Sequence, residues 1–305
     1  MAIYKSVSEL VGNTPILELC EIEKKYNLKS NIFAKLELLN PCGSAKDRIA
    51  KNIIDEALKE GKITRGGTII EATSGNTGIG LAGIGGAMGF KSVIVMPDTM
   101  SKERIQIMRA YGAEVILSDG KLGMKGANEL AQKIAKEREN SFIAGQFENV
   151  ANPSAHYMTT GPEIYRDMEG QIDALVSAVG TGGTLSGAGK YLKEQSSRIR
   201  VVAVEPKSSP LLSEGKAGPH KIQGIGANFV PETLDKSVYD EIICVSDEDA
   251  YRLTSELSKC EGILAGISSG CALCAAIELA KREENKNIVV IFPDTGTRYL
   301  SENIW

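Results

Sequence analysis

Short apolar runs alternate along the chain with longer stretches in which apolar residues recur every three or four positions. Residues 68–71, 92–96, 114–117, 175–179, 201–204 and 288–292 form continuous apolar or β-branched runs, which predict strands buried on both faces. Such runs suit a parallel sheet covered by helices on each side. Residues 32–36 and 142–144 read as two further strands. Between the runs, residues 48–59, 102–110, 125–139 and 247–259 carry helical spacing, with Ile49, Ile53 and Ala57 along one stripe. Strand and helix in alternation predict an α/β fold with largely parallel sheets.

A chain of 305 residues, 42% of them apolar, suits two modest domains better than one large core. The polar stretch 145–154 is the candidate boundary, which predicts domains 1–145 and 146–305, with residues up to about 34 free to pack with the second domain. A second irregular stretch, 206–231, holds Pro, Gly and Ser without periodicity, and a loop that long in a compact domain is usually functional or mobile.

Composition removes several function classes. Net charge is −4 and no basic block is present, so nucleic acid is not an expected partner. The first ten residues lack the basic, apolar and small-residue sequence of an export signal, and no apolar run approaches membrane-spanning length. Six scattered cysteines are too sparse for a disulfide framework, so reduced thiols and a cytoplasmic protein are expected. Cys271-Ala-Leu-Cys274 has metal or redox spacing, but no second pair and only two histidines accompany it, so no metal is expected there and burial on a helix is the better reading.

In open parallel sheets, ligands bind beyond the carboxyl ends of the strands. Glu71-Ala-Thr-Ser-Gly-Asn-Thr-Gly78 follows one predicted strand and opens a helix, where amides and hydroxyls suit a carboxylate or phosphate, or simply cap the helix. Gly180-Thr-Gly-Gly-Thr184 follows another and lacks the Gly-Lys-Ser/Thr ending of a nucleotide P-loop, so a monophosphate fits it better than a triphosphate. Gly266-Ile-Ser-Ser-Gly270 opens a third helix and reads alone as a cap. Lys46 stands at the start of a helix, whose positive end disfavours an ammonium and leaves a more nucleophilic amine. A rival signal is Gly78-Ile-Gly80-Leu-Ala-Gly83 with Asp98 some way on, which matches a dinucleotide fingerprint and would make the chain a dehydrogenase.

Taken in order, Val11-Gly-Asn-Thr-Pro15, Asn40-Pro-Cys-Gly-Ser-Ala-Lys-Asp-Arg48, Thr73-Ser-Gly-Asn-Thr-Gly78, Gly180 to Thr184, Lys221-Ile-Gln-Gly-Ile-Gly-Ala227 and Gly266 to Gly270 resemble the cysteine synthase (O-acetylserine sulfhydrylase) family over essentially the whole chain. The resemblance implies a two-domain, fold-type II pyridoxal-phosphate (PLP) enzyme, similar to tryptophan synthase β. By the same resemblance, Lys46 holds PLP as a Schiff base, Gly180, Thr181, Gly182, Gly183 and Thr184 cradle its phosphate, Asn76 bonds its hydroxyl, and Ser268 faces its ring nitrogen. Thr73, Ser74, Gly75, Thr77, Gln146, Gly224 and Ile225 are the implied substrate-binding residues. The implied reaction replaces the acetate of O-acetylserine by sulfide through an aminoacrylate, with Lys46 moving the Cα proton both ways. A neutral serine at the ring nitrogen makes the ring a weaker electron sink than an aspartate would, which still suffices to expel a β leaving group.

Relatives sharing this core include cystathionine β-synthases, serine and threonine dehydratases and O-phosphoserine-dependent synthases. Residues 206–231 contain no arginine to meet a phosphoserine dianion, which favours O-acetylserine. The resemblance also implies a homodimer and a cleft that docks the C-terminal tail of serine acetyltransferase. Since Lys46 covers both proton transfers, His156 and His220 read as structural.

Overall fold

The computed structural model describes residues 3–305. Two compact units emerge: one runs from Asn40 to Asn152 and includes the residues up to Val11, while the other joins Gly12–Leu39 to Pro153–Trp305. In chain order the first elements are β1 (Ile16–Glu18), α1 (Cys20–Tyr26), β2 (Asn31–Leu36), α2 (Lys46–Lys59), β3 (Thr68–Ala72), α3 (Asn76–Ala87), β4 (Lys91–Pro97), α4 (Lys102–Ala110), β5 (Glu114–Ser118), α5 (Gly123–Glu137) and β6 (Ser141–Ile143). They continue with α6 (Ala151–Ala155), a π-helical turn (His156–Thr160), α7 (Gly161–Asp167), β7 (Ala174–Ala178), α8 (Gly183–Gln195), β8 (Arg200–Pro206), α9 (Leu211–Glu214), β9 (Glu241–Val245), α10 (Asp247–Glu261), α11 (Ile267–Arg282) and β10 (Asn287–Phe292).

The first unit is built on a parallel sheet in the order β5-β4-β3-β6. Ile70, Val93 and Val95 point to one face and pack on Ala127, Ala131 and Ile134 of α5. Ile69, Ile94 and Met96 point to the other, among Ile49 and Ile53 of α2 and Ile79, Leu81 and Ile84 of α3. Apolar or small residues occupy nearly every position of α3, so no face of it can be given to water, and it is buried along most of its length.

The second unit carries a sheet in the order β1-β2-β10-β7-β8-β9, parallel except at the β1–β2 edge. Ala272, Leu273 and Ala276 of α11 cover Val176, Val202, Val204 and Val290 on one face. Ile164 of α7 and Leu192 of α8 cover Leu175 and Val289 on the other. At the β1–β2 end, Lys35 is fully buried, with its ammonium 2.8 Å from Glu163 and 2.6 Å from the Thr14 carbonyl oxygen. Glu163 also accepts the Asn13 amide at 2.9 Å, so residues 12–39 are tied to α7 by charge as well as by strand pairing.

All eight strands expected from the apolar runs are present, and the four periodic stretches are helical. Two strands were not foreseen: β1 has only three residues, and β9 carries the apolar run Ile242 to Val245 but was passed over beside the irregular stretch 206–231. The division between the units falls after Asn152, where the polar stretch 145–154 suggested residue 145, because the turn 145–149 folds back onto β3. No helix among the described residues is long and apolar enough to cross a membrane.

Candidate active site

In the first unit Lys46 is the first residue of α2 and is half-buried. The turn before it is pinned by the Cys42 amide, which donates to the Asp47 carboxylate at 2.6 Å, and by the Lys46 amide, which donates to Ser44 Oγ at 3.2 Å. Behind it, α3 crosses so closely that a Cβ at Gly80 would meet the Lys46 carbonyl oxygen at 3.0 Å. A Cβ at Gly78 would meet Met108 of α4 at 2.8 Å, and one at Gly83 would strike the Cys42 sulfur. The glycine run that imitates a dinucleotide fingerprint is thus a helix-packing device lying beyond the turn that follows β3.

That turn, Thr73 to Thr77, leaves the carboxyl end of β3. Thr73 Oγ1 accepts the Gly75 amide at 3.2 Å, and α3 begins at Asn76 without any side-chain cap. Capping therefore does not occupy Ser74 or Thr77, and the first amides of a helix have no intrahelical acceptor. Thr77 is 2% exposed and donates its hydroxyl to Gln146 Oε1 at 2.5 Å, which brings the two halves of the expected carboxylate site together. Ser74 is backed by Arg104, whose Nη1 donates to its carbonyl at 3.4 Å.

Gln146 is set by a residue the sequence reading passed over. Glu71, buried within β3, accepts the Gly145 amide at 2.8 Å and the Gln146 amide at 3.3 Å. Asn152 closes the same turn by donating to the Gln146 carbonyl at 2.7 Å. Burial pushes the Glu71 carboxyl up to about 7, against the pull of the Gly145 and Gln146 donors, while Glu148 nearby adds to the rise. The available sequence signal was an acidic residue inside the apolar run Thr-Ile-Ile-Glu-Ala.

In the second unit the loop Gly180 to Thr184 leaves the carboxyl end of β7 and opens α8. Gly182 has φ +81°, and a Cβ there would meet Leu234 at 2.6 Å. A Cβ at Gly180 would collide with the Gly224 carbonyl oxygen, so the Lys221 to Ala227 motif packs directly on this loop. Gly226 fastens it by donating to the Val179 carbonyl at 3.0 Å, and Thr233 donates to the Thr181 carbonyl at 2.6 Å. Helix-opening amides, the Thr184 hydroxyl and glycines that leave no space for side chains fit a monophosphate group. Ser268 is buried in the first turn of α11, and the neighbouring Ser269 Oγ is a buried hydroxyl with no hydrogen-bond partner in the protein. Ser268 and that orphaned hydroxyl give the start of α11 polar groups of the kind a polar cofactor requires.

His156 belongs to this neighbourhood and was expected to be structural. Fully buried in the π-helical turn, it lies with Nδ1 2.8 Å from Thr160 Oγ1 and Nε2 3.1 Å from Thr184 Oγ1. Gly187 of α8 lets that turn approach, since a Cβ there would meet the Tyr157 amide nitrogen at 2.8 Å. His220 keeps a structural place, with Nε2 2.9 Å from the Gly226 carbonyl oxygen. Burial raises the Cys271 thiol well above its usual range and Cys274 to about 11, which suits packing on α11 and not thiolate chemistry.

A family model described as "Pyridoxal-phosphate dependent enzyme" matches residues 7–294. The cysteine synthase of Staphylococcus aureus (strain Mu50 / ATCC 700699) is 48% identical over 302 residues, covering 98% of this chain and 96% of that protein. Cysteine synthase B of Campylobacter jejuni is 49% identical over 305 residues, covering all of both chains. A crystal structure of cysteine synthase from Entamoeba histolytica superposes with a TM-score of 0.96 at 44% identity, covering 100% of this chain and 91% of that one. With a lysine at a helix start, a glycine loop opening α8 and these matches along nearly its whole length, the chain belongs to the family of pyridoxal-phosphate dependent enzymes.

Proposed function

We propose that the protein makes L-cysteine by replacing the acetate of O-acetyl-L-serine with sulfide. The observation that carries this reading is the Thr77–Gln146 pair beside the Thr73 to Asn76 turn, a site for an amino-acid carboxylate, in a chain whose relatives are cysteine synthases. Lys46 holds PLP covalently, Asn76 meets its hydroxyl, Ser268 its ring nitrogen, and Gly180 to Thr184 its phosphate. Bound PLP supplies the electrophilic carbon that captures an amine and the electron sink that acidifies the substrate Cα.

The chain's own work follows from its residues. Thr73, Ser74, Gly75, Thr77 and Gln146 hold the substrate carboxylate, with Gly224 and Ile225 lining the same substrate. The Lys46 amine, freed when the substrate's amine takes its place, would act as the base that removes the Cα proton as acetate leaves Cβ. Once sulfide has added at Cβ, the same amine returns the proton to Cα. No arginine in 206–231 waits for a phosphate leaving group, which favours the acetyl ester. A homodimer in the cytoplasm whose cleft accepts a serine acetyltransferase tail completes the reading.

The deciding experiment is the visible absorption of the holoenzyme with and without O-acetylserine, alongside Lys46→Ala. The wild type should be yellow, shift its band on adding O-acetylserine and recover it on adding sulfide, with release of free cysteine. Lys46→Ala should lose cofactor on dialysis and lose at least about a thousandfold in rate. A yellow protein that ignores O-acetylserine would overturn the substrate; one that shifts and recovers only with homocysteine would make it a cystathionine synthase.

A further inference from the structure

We propose that Glu71 is a positioning residue for the substrate: its carboxylate fixes the Gln146 side chain against Thr77, and gaining a proton loosens that arrangement. This rests on the reading of Thr73 to Thr77 and Gln146 as the carboxylate site.

Gln146 lies in a turn after β6 that has no regular strand or helix to hold it. Its backbone is held by Asn152 at the Gln146 carbonyl and by two Glu71 contacts, 2.8 Å from the Gly145 amide and 3.3 Å from the Gln146 amide, one on each carboxylate oxygen. Glu71 is itself rigid, since it sits in β3 between β4 and β6 and leads directly into the turn that carries Thr73. One carboxylate therefore spans both halves of the site, and the 2.5 Å Thr77–Gln146 hydrogen bond closes the ring. The Gly145 and Gln146 amides and the Gln146 side chain all donate toward this carboxylate, which needs acceptors on both oxygens. A proton on either oxygen turns one acceptor into a donor facing an N–H, and that contact is lost.

Few other charges act on this group. Glu148, on the same turn, is the neighbouring carboxylate. Of the elements packed on β3, α3 and β6 contain no ionisable side chain, and β4 contributes only Lys91 at its exposed start. From α5 it is Ala127, Ala131 and Ile134 that meet the sheet, with the lysines and glutamates on its outer face. With burial holding its carboxyl near 7, Glu71 changes charge within the working range of the enzyme.

The test compares wild type, Glu71→Gln and Gln146→Ala as PLP holoenzymes between about pH 5.5 and 8. Binding of L-serine, which offers the same amine and carboxylate without an ester, is measured by calorimetry, and KM and kcat for O-acetylserine by turnover. In the wild type, L-serine binding should weaken about five- to tenfold as pH falls through 7. Glu71→Gln, which presents an amide N–H₂ to a backbone N–H at every pH, should show the weakened binding throughout, a KM raised by about the same factor and a kcat within about twofold. Gln146→Ala should weaken binding and lose the pH dependence, and it serves if Glu71→Gln fails to fold. Wild-type affinity and pH dependence in Glu71→Gln, or an unaltered pH dependence in Gln146→Ala, would overturn the proposal. If Gln146→Ala binds L-serine as the wild type does, it is the carboxylate site that fails; if only Glu71→Gln is silent, the positioning role fails alone.

Discussion

His156 Nε2 lies 3.1 Å from the Thr184 hydroxyl, and His156 precedes the Gly180 to Thr184 loop by more than twenty residues. For Thr184 to donate to a phosphate oxygen, its own oxygen must accept from Nε2–H, which leaves Nδ1 to accept from Thr160. Replacing His156 by Ala would leave Thr184 free to rotate. The apoprotein should then bind PLP about tenfold more weakly, which is about 1.4 kcal/mol and of the order of one net hydrogen bond. Absorbance titration measures this, and pyridoxal, which lacks the phosphate, should change its affinity by less than about twofold. Equal loss for both ligands would reduce His156 to a packing residue.

Gly182 is the loop position with least freedom, combining φ +81° with a 2.6 Å approach to Leu234. Alanine there meets both a disfavoured backbone region and a packed side chain. Gly182→Ala should destabilise the protein by about 2–4 kcal/mol, read as a lower urea midpoint, and should weaken PLP binding. Gly75 faces no such constraint, because a Cβ there finds nothing nearer than 3.9 Å. Gly75→Ala should unfold at the wild-type midpoint and register, if anywhere, in substrate KM.

The buried Lys35–Glu163 pair ties the segment around Asn13 and Thr14 to α7. Lys35→Met would strand a buried carboxylate, at a cost of about 3–5 kcal/mol. Adding Glu163→Gln removes the stranded charge and keeps an oxygen for the Asn13 amide. The double variant should regain at least about 1 kcal/mol over Lys35→Met; a further loss in urea titrations would mean that Asp167, 3.6 Å from the ammonium, is the real partner.

The legible parts of the molecule share a physical cause. Continuous apolar runs such as β4 and β10 announce parallel strands covered on both faces, and motif turns such as Gly180 to Thr184 fall where those strands end. What stayed hidden are pairs far apart in sequence. Glu71 meets residue 146 across 75 positions and His156 meets Thr184 across 28, and no local pattern encodes either distance. β9 was legible and was missed: Ile242 to Val245 is a short apolar run, although as an edge strand it is only partly buried. The fingerprint at Gly78 misled because close helix packing and close phosphate approach demand the same residue.

Glu71 also leaves a signature in stability that is opposite to its effect on binding. Its carboxyl titrates near 7 when folded, against 4.5 for an ordinary glutamate, so the folded protein holds this proton more tightly than the unfolded chain. The resulting stabilisation is complete below about pH 4.5 and is lost as pH rises through 7, a swing of about 3 kcal/mol. In Glu71→Gln the swing is absent, so the stability of Glu71→Gln relative to wild type should climb by that amount between pH 4.5 and 8. Urea titrations of the two proteins across this range measure the difference directly. A flat difference would mean that the two amides already hold Glu71 charged at acidic pH and that burial is the weaker effect. A climbing one means that near neutral pH the protein keeps a destabilising charge in its core at the place where that charge orders Gln146, as expected where function and stability compete.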